Sequence, residues 1–221
     1  MDQTSDTIAP KSGKTILAMS LAVVAGIIRI FPHPWNFTPV GALGLFGGAR
    51  LRLWQALTLP LAIMVGTDLI IWAKSGWPPF NPYVYGSFTA SVLIGRLLAH
   101  TNSPVRIGLC AVLVSVQFFL VTNFGVWAAF RVDPQSIPGG APYMLKHDDI
   151  FPNPTIYYAN DARGLAASYW LAAAFSRPEA PPLGFFGNLL AADLFFSAVL
   201  FGAYAWLGRR IFRPIALPAT R

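Results

Sequence analysis

Two carboxylates stand inside apolar runs, Asp68 within Leu53 to Ala73 and Asp193 within Leu183 to Leu207. An ionised acid at mid-depth in a bilayer costs about 2.5 to 3.5 kcal/mol on insertion scales, so each acid needs a partner or a purpose. One reading is a shared polar cavity for a small polar solute or ion. Asp68 and Asp193 would orient donors or a cation, Asn123 and Asn188 would fix register, and Trp127 would stack on a flat ligand. Asn36, Thr38, Tyr83 and Tyr85 would form the rim of that cavity. The other reading is bonding between helices, with Arg29, backbone amides or hydroxyls as partners of the acids. Gln117 belongs to this second reading.

Catalytic patterns are missing from the chain. His33, His100 and His147 fall in separate loops, and there is no HExxH, no GxSxG and no phosphate-cradling glycine loop followed by Lys-Ser or Lys-Thr. His147-Asp148-Asp149 reads as a solvated loop rather than a metal site. Cys110 is the only cysteine, which rules out an internal disulfide and a thiolate cluster. The expectation is a protein that is not an enzyme and carries no metal or cofactor; any active transport would draw its energy from elsewhere.

Composition says what holds these groups. Hydrophobic residues make up 55% of the 221 residues and charged ones 11%, against about 25% charged in soluble domains. Mean hydropathy is +0.53. A net charge of +7 would suggest nucleic acid as the partner of a soluble protein, but these basic residues flank apolar segments and read as membrane topology, with the lipid bilayer as partner.

The segments are read as an all-α membrane protein of six transmembrane helices. Residues 1–14 form a disordered cytoplasmic N-terminus, residues 15–210 a single membrane domain, and residues 211–221 a cytoplasmic tail. Helix one runs from Thr15 to Phe31, followed by a turn at Pro32-His33-Pro34. The second is short and glycine-rich, Pro39 to Ala49, and its 11 residues reach only about 16 Å against roughly 30 Å of hydrocarbon. The others are Leu53 to Ala73, Tyr83 to Ala99, Val105 to Phe130, and Leu183 to Leu207. Residues 131–182 form a long outer loop that contains an interfacial helix, Thr155 to Phe175. Small residues define contact faces, Gly44 and Gly48 in a GxxxG spacing and Ala18, Ala22 and Gly26 four apart; such faces serve contact within the bundle or with a partner subunit, and all five residues are candidates for a partner interface.

Orientation follows from the positive charges. With the N-terminus inside, Lys11, Lys14, Arg50, Arg52, Arg96, Arg106, Arg209, Arg210, Arg213 and Arg221 are all cytoplasmic. The outside then holds Lys74 and, in the long loop, Arg131, Lys146, Arg163 and Arg177. This agrees with the positive-inside rule only if the glycine-rich segment crosses the membrane; a re-entrant segment would invert every later loop.

The ordered motifs carry a resemblance. Asn36-Phe37-Thr38-Pro39-Val40-Gly41-Ala42-Leu43, Phe46-Gly47-Gly48-Ala49, Thr67-Asp68-Leu69, Val84-Tyr85-Gly86-Ser87, Phe118-Phe119 and Thr122-Asn123-Phe124-Gly125-Val126-Trp127 resemble an uncharacterised family of small bacterial membrane proteins. The match runs from about Ala25 to Gly202. That family in turn is similar, in size and number of spans, to the substrate-binding S components of energy-coupling factor (ECF) vitamin transporters. The resemblance implies a bacterial inner-membrane protein and a six-helix bundle with a small hydrophilic ligand near its outer face. It also implies docking of Ala18, Ala22 and Gly26 on a transmembrane coupling subunit that works with ATPases. Residues 131 to 155 look inserted relative to that pattern, and Ser176 to Leu183 is proline-rich. The insertion motivates a competing expectation, an accessory subunit of a larger membrane complex with no ligand of its own.

Overall fold

The computed structural model describes residues 9–31, 34, 36–75, 80–146, 155–174 and 184–212. His33, His147-Asp148-Asp149, Arg177, Arg213, Arg221 and the proline-rich Ser176 to Leu183 lie outside these residues. Seven α-helices are present among them: α1 Ala9–Ile28, α2 Val40–Arg50, α3 Leu53–Ser75, α4 Pro82–Gly95, α5 Pro104–Ala129, α6 Ala162–Ala174 and α7 Gly184–Ile211. Three strands, β1 Arg131–Val132, β2 Tyr143–Lys146 and β3 Thr155–Ala159, lie between α5 and α6.

The bundle is built around α2. Every residue from Val40 to Ala49 is buried, and α1, α3, α4, α5 and α7 all pack on it. A helix apolar on all sides is stable only when surrounded in this way. It does not lengthen past Arg50 to meet the sequence-based span requirement, because Leu51 turns extended at φ −110° and ψ 163°. Aromatic contacts lock it to α7, with the Phe46 ring edge-on to Phe201 at 5.3 Å. On α4 the approach is backbone to backbone. A Cβ on Gly48 would run into the Val92 carbonyl and stand 3.0 Å from the Cα of Gly95, and one on Gly44 would stand 2.8 Å from the Cβ of Ser91.

Helix ends follow their local chemistry. Asn81 caps α4 by accepting from the Tyr83 and Val84 amides at 3.0 and 3.4 Å, and Pro82 occupies the first turn, where its missing N–H is harmless. The same chain then tightens into a 3-10 turn, Arg96–Leu98, instead of continuing as an α-helix to Ala99. Ser103 with Pro104 starts α5 in the same manner. α1 begins six residues before the expected Thr15, so residues 9–14 are helical and not a disordered tail. Its first turns are supported from outside: a Cβ on Gly13 would meet the Phe212 ring at the far end of α7.

Two ends of the bundle are distinct. At the basic end, Arg50 donates to the carbonyls of Leu98 (3.2 Å) and Thr101 (2.8 Å) and to Asn102 Oδ1 (2.6 Å), while Arg96 donates to the Leu51 carbonyl at 3.0 Å. At the opposite end lies a three-stranded sheet of order β1-β3-β2, with β1 parallel and β2 antiparallel to β3.

The sheet corrects the all-α expectation and the single interfacial helix from Thr155 to Phe175. Thr155-Ile156-Tyr157-Tyr158 is β-branched and aromatic, which suits a strand, and the loop read as an insertion supplies its pairing partners. Asp161 then separates strand from helix, accepting from the Gly164 amide at 3.0 Å as the cap of α6. The module docks on the end of α5 through Tyr158 N–H to the Phe130 carbonyl (3.0 Å) and Tyr169 O–H to the Leu120 carbonyl (3.0 Å).

Candidate functional site

Asp193 on α7 is fully buried and serves α2. Its Oδ1 accepts from the Ala42 amide at 3.0 Å and its Oδ2 from the Ser115 hydroxyl at 2.8 Å. Ala42 lies in the first turn of α2, where backbone N–H groups have no partner within the helix, and Pro39 at the cap position offers no side-chain acceptor. A carboxyl group from another helix thus caps α2 at the positive end of its dipole. The geometry requires Gly41: a Cβ there would collide with Oδ1 and stand 2.7 Å from Oδ2 and from Val114 Cγ1.

Asp68 on α3 joins two other elements. Arg29 Nη2 lies 2.6 Å from Oδ1, Tyr85 O–H donates to Oδ2 at 2.7 Å, and Arg29 Nη1 donates to Thr67 Oγ1 at 2.9 Å. This ties the end of α1 to α3 and α4. A void beside Arg29, Thr67 and Phe88 holds about 10 Å³, room for one water molecule. Asp68 and Asp193 share no partner, and each is satisfied by the interhelical bonding that the second sequence reading describes.

The remaining expected pocket residues are dispersed. Asn123 donates to the Phe119 carbonyl of its own helix at 2.8 Å. Trp127 donates Nε1–H to the Ala159 carbonyl at 3.0 Å and carries the Arg131 guanidinium 5.5 Å from its ring, so it fastens the sheet module to α5. Tyr83 packs across Gly125 and edge-on to Phe124 at 6.1 Å. Asn188 is buried in α7, at 4% exposure. Asn36 is exposed at φ 58°, a left-handed turn position that asparagine tolerates better than other side-chain-bearing residues, and Thr38 is half-buried beside it. Gln117 bridges α5 to α4, donating to the Ser87 carbonyl and Ser91 Oγ, both at 3.0 Å.

The expected partner faces are covered inside the chain. Ala18 and Ala22 are fully buried, a Cβ on Gly26 would stand 2.6 Å from Ile63 on α3, and Gly44 and Gly48 face α4. Small residues permit close approach, and here the approaching helix belongs to the same chain.

A larger space lies where the sequence drew no attention. A groove of about 880 Å³ runs between α5 and α7 at the basic end, walled by Ile107, Gly108, Leu194, Ala198, Phe201 and Gly202. Exposed Lys14, Asn102 and Arg209 stand at its rim. Ser197, 1% exposed, is also part of its lining, and its buried hydroxyl has no hydrogen-bond partner among the described residues. The available sequence signal was the small-residue stripe Ala198, Gly202 and Ala205 leading to Arg209, a pattern that usually marks helix contact. Among the described residues no three His, Cys, Asp or Glu side chains gather as a metal set.

Fold and composition together define a helical bundle in which, among the described residues, three helices, α3, α5 and α7, are long and apolar enough to cross a membrane. The chain belongs to the family of unknown function DUF6580, whose model matches residues 10–217. No match was found among curated proteins or among solved structures.

Proposed function

We propose that the chain is a six-crossing bacterial inner-membrane protein that binds a small amphipathic solute in the groove between α5 and α7. The groove carries the reading: at about 880 Å³ it falls within the roughly 300–1,000 Å³ of small-molecule sites, and it combines apolar walls with a few polar groups. The likeness to S components motivates ligand binding as the activity but implies a ligand near the outer face; the groove lies at the opposite end, so the site in this reading departs from that resemblance.

The crossings in this reading are α1, α2, α3, α4, α5 and α7, alternating in direction. Lys14, Arg50, Arg52, Arg96, Arg106, Arg209 and Arg210 gather at one end, which the positive-inside rule makes cytoplasmic. The sheet and α6 are then outside. An α2 of 11 residues suffices because it presents no face to lipid and its ends are met by Asp193 and by protein around Arg50.

Native mass spectrometry of the gently extracted full chain tests the function. A ligand retained by the wild type should be lost from Gly202→Phe, whose new side chain enters the groove from a position where a Cβ meets nothing within 4 Å. Equal ligand occupancy in a folded Gly202→Phe would refute the site.

A second reading, an accessory subunit of a membrane complex, draws support from the sheet module. Trp170 and Leu145 are 69% and 66% exposed there, on the side this topology places in water. Loss of a co-purifying subunit from Trp170→Ala/Leu145→Ser, with the ligand retained, would favour it.

A further inference from the structure

We propose that the occupant of the groove is an anionic glycerophospholipid of the cytoplasmic leaflet, its phosphate at Lys14 and Arg209 and an acyl chain along the α5–α7 walls. The inference rests on the groove being the binding site and on the six-crossing orientation.

Charge selects the headgroup. Lys14 and Arg209 stand at the rim, and none of the described residues lining the groove is acidic. Asn102 is also oriented toward anions by its bonding: Arg50 occupies its Oδ1 at 2.6 Å, so what Asn102 can offer a ligand is its Nδ2–H. The Arg50 guanidinium itself lies 5.0 Å from the Phe201 ring and 5.6 Å from the Tyr204 ring, both part of the groove wall. Basic recesses between transmembrane helices on the cytoplasmic side are suited to phosphorylated lipid headgroups.

Length selects a lipid over a soluble phosphate compound. On α7 the lining runs from Leu194 to Arg209, about 22 Å of helix at 1.5 Å per residue. Half of a bilayer, headgroups included, is about 20 to 22 Å thick. The groove therefore spans one leaflet, basic at the water side and apolar toward the midplane.

The test uses the full chain, delipidated in detergent and titrated by native mass spectrometry with phosphatidylglycerol, phosphatidylcholine or glycerol 3-phosphate. Lys14→Gln/Arg209→Gln should weaken phosphatidylglycerol about 25-fold, roughly fivefold per basic residue, and weaken zwitterionic phosphatidylcholine, whose phosphate is neutralised by its own choline, by less. Gly202→Phe and Gly108→Leu, entering from opposite walls at positions where a Cβ meets nothing within 4 Å, should both abolish phosphatidylglycerol binding. If both filled variants remove the two lipids alike while the charge variant is silent, the groove stands as the site and its anionic ligand class fails. Phosphatidylglycerol binding that survives both fillings overturns the groove itself. Glycerol 3-phosphate competing as well as the intact lipid would overturn the lipid assignment in favour of a soluble anion.

Discussion

Gly47 and Gly48 are adjacent, equally buried and identical in composition, yet the packing of α2 assigns them opposite responses to the same methyl group. A Cβ on Gly48 meets the Val92 carbonyl oxygen and lies 2.9 Å from the Val92 carbonyl carbon and 3.0 Å from Gly95 Cα. These are backbone atoms of α4 and cannot rotate away, so helices must separate. Overpacking costs about 1 to 3 kcal/mol when side chains share the strain, and a backbone clash belongs at or above the upper value. On Gly47 the nearest atom would be Ala56 Cβ at 3.6 Å, an ordinary contact. There alanine gains the roughly 0.5 to 1 kcal/mol that glycine loses in a helix. That gain is common to both substitutions, so Gly48→Ala should fall below Gly47→Ala by the clash alone, about 3 kcal/mol, which is more than a hundredfold in the folded-to-unfolded ratio. Reversible unfolding in mixed micelles, followed by tryptophan fluorescence, measures the difference. Equal stabilities would refute the close α2–α4 approach.

Other outcomes follow from the polar contacts. Asp193→Ala leaves the Ala42 amide without its acceptor and should cost about 1 to 3 kcal/mol more than Asp193→Asn, which retains an oxygen; equal losses in the same unfolding assay would deny the capping role. Arg29→Met strands Asp68 and should destabilise by about 3 kcal/mol, whereas Arg29→Met/Asp68→Leu should cost less than the sum of the single changes; additivity would contradict the pairing. In the sheet module, the Gly164 amide, followed by Arg163, holds the Asp161 carboxyl below its usual 3.8. Its contribution is thus complete above the ordinary aspartate range and lost as pH falls through the lowered value, so amide-exchange protection of α6 should decline in acid. Asp161→Asn, which still caps, should lose that acid dependence, and an unchanged profile would remove Asp161 from the effect.

Much of the membrane-helix pattern was legible because long apolar runs between prolines and charges specify α3, α5 and α7 directly, and the structure begins and ends these helices close to the expected residues. Gly44 and Gly48 announced close approach but not the identity of the neighbour, since α4 and a foreign helix make the same demand on the sequence. β3 was hidden because Thr155-Ile156-Tyr157-Tyr158 is a strand only once β1 and β2 pair with it, and aromatic residues near a membrane suggest an interface equally well. The link from Asp193 to Ala42 joins residues 151 positions apart and needs a backbone amide, which leaves no mark in residue type. The groove was illegible for a related reason: it is formed where small side chains on two helices fail to meet, and the same residues would equally serve contact.

The central structural claim is that α2, though only 11 residues long, carries the chain from one face of the membrane to the other. Labelling of single cysteines in intact cells and inverted vesicles, in a Cys110→Ala background, tests it most directly. Phe31→Cys, exposed beyond the end of α1, should react only from the outside, and Arg52→Cys, just beyond α2, only from the cytoplasm. Both sites reacting from the same face would make α2 re-entrant and contradict the six-crossing account.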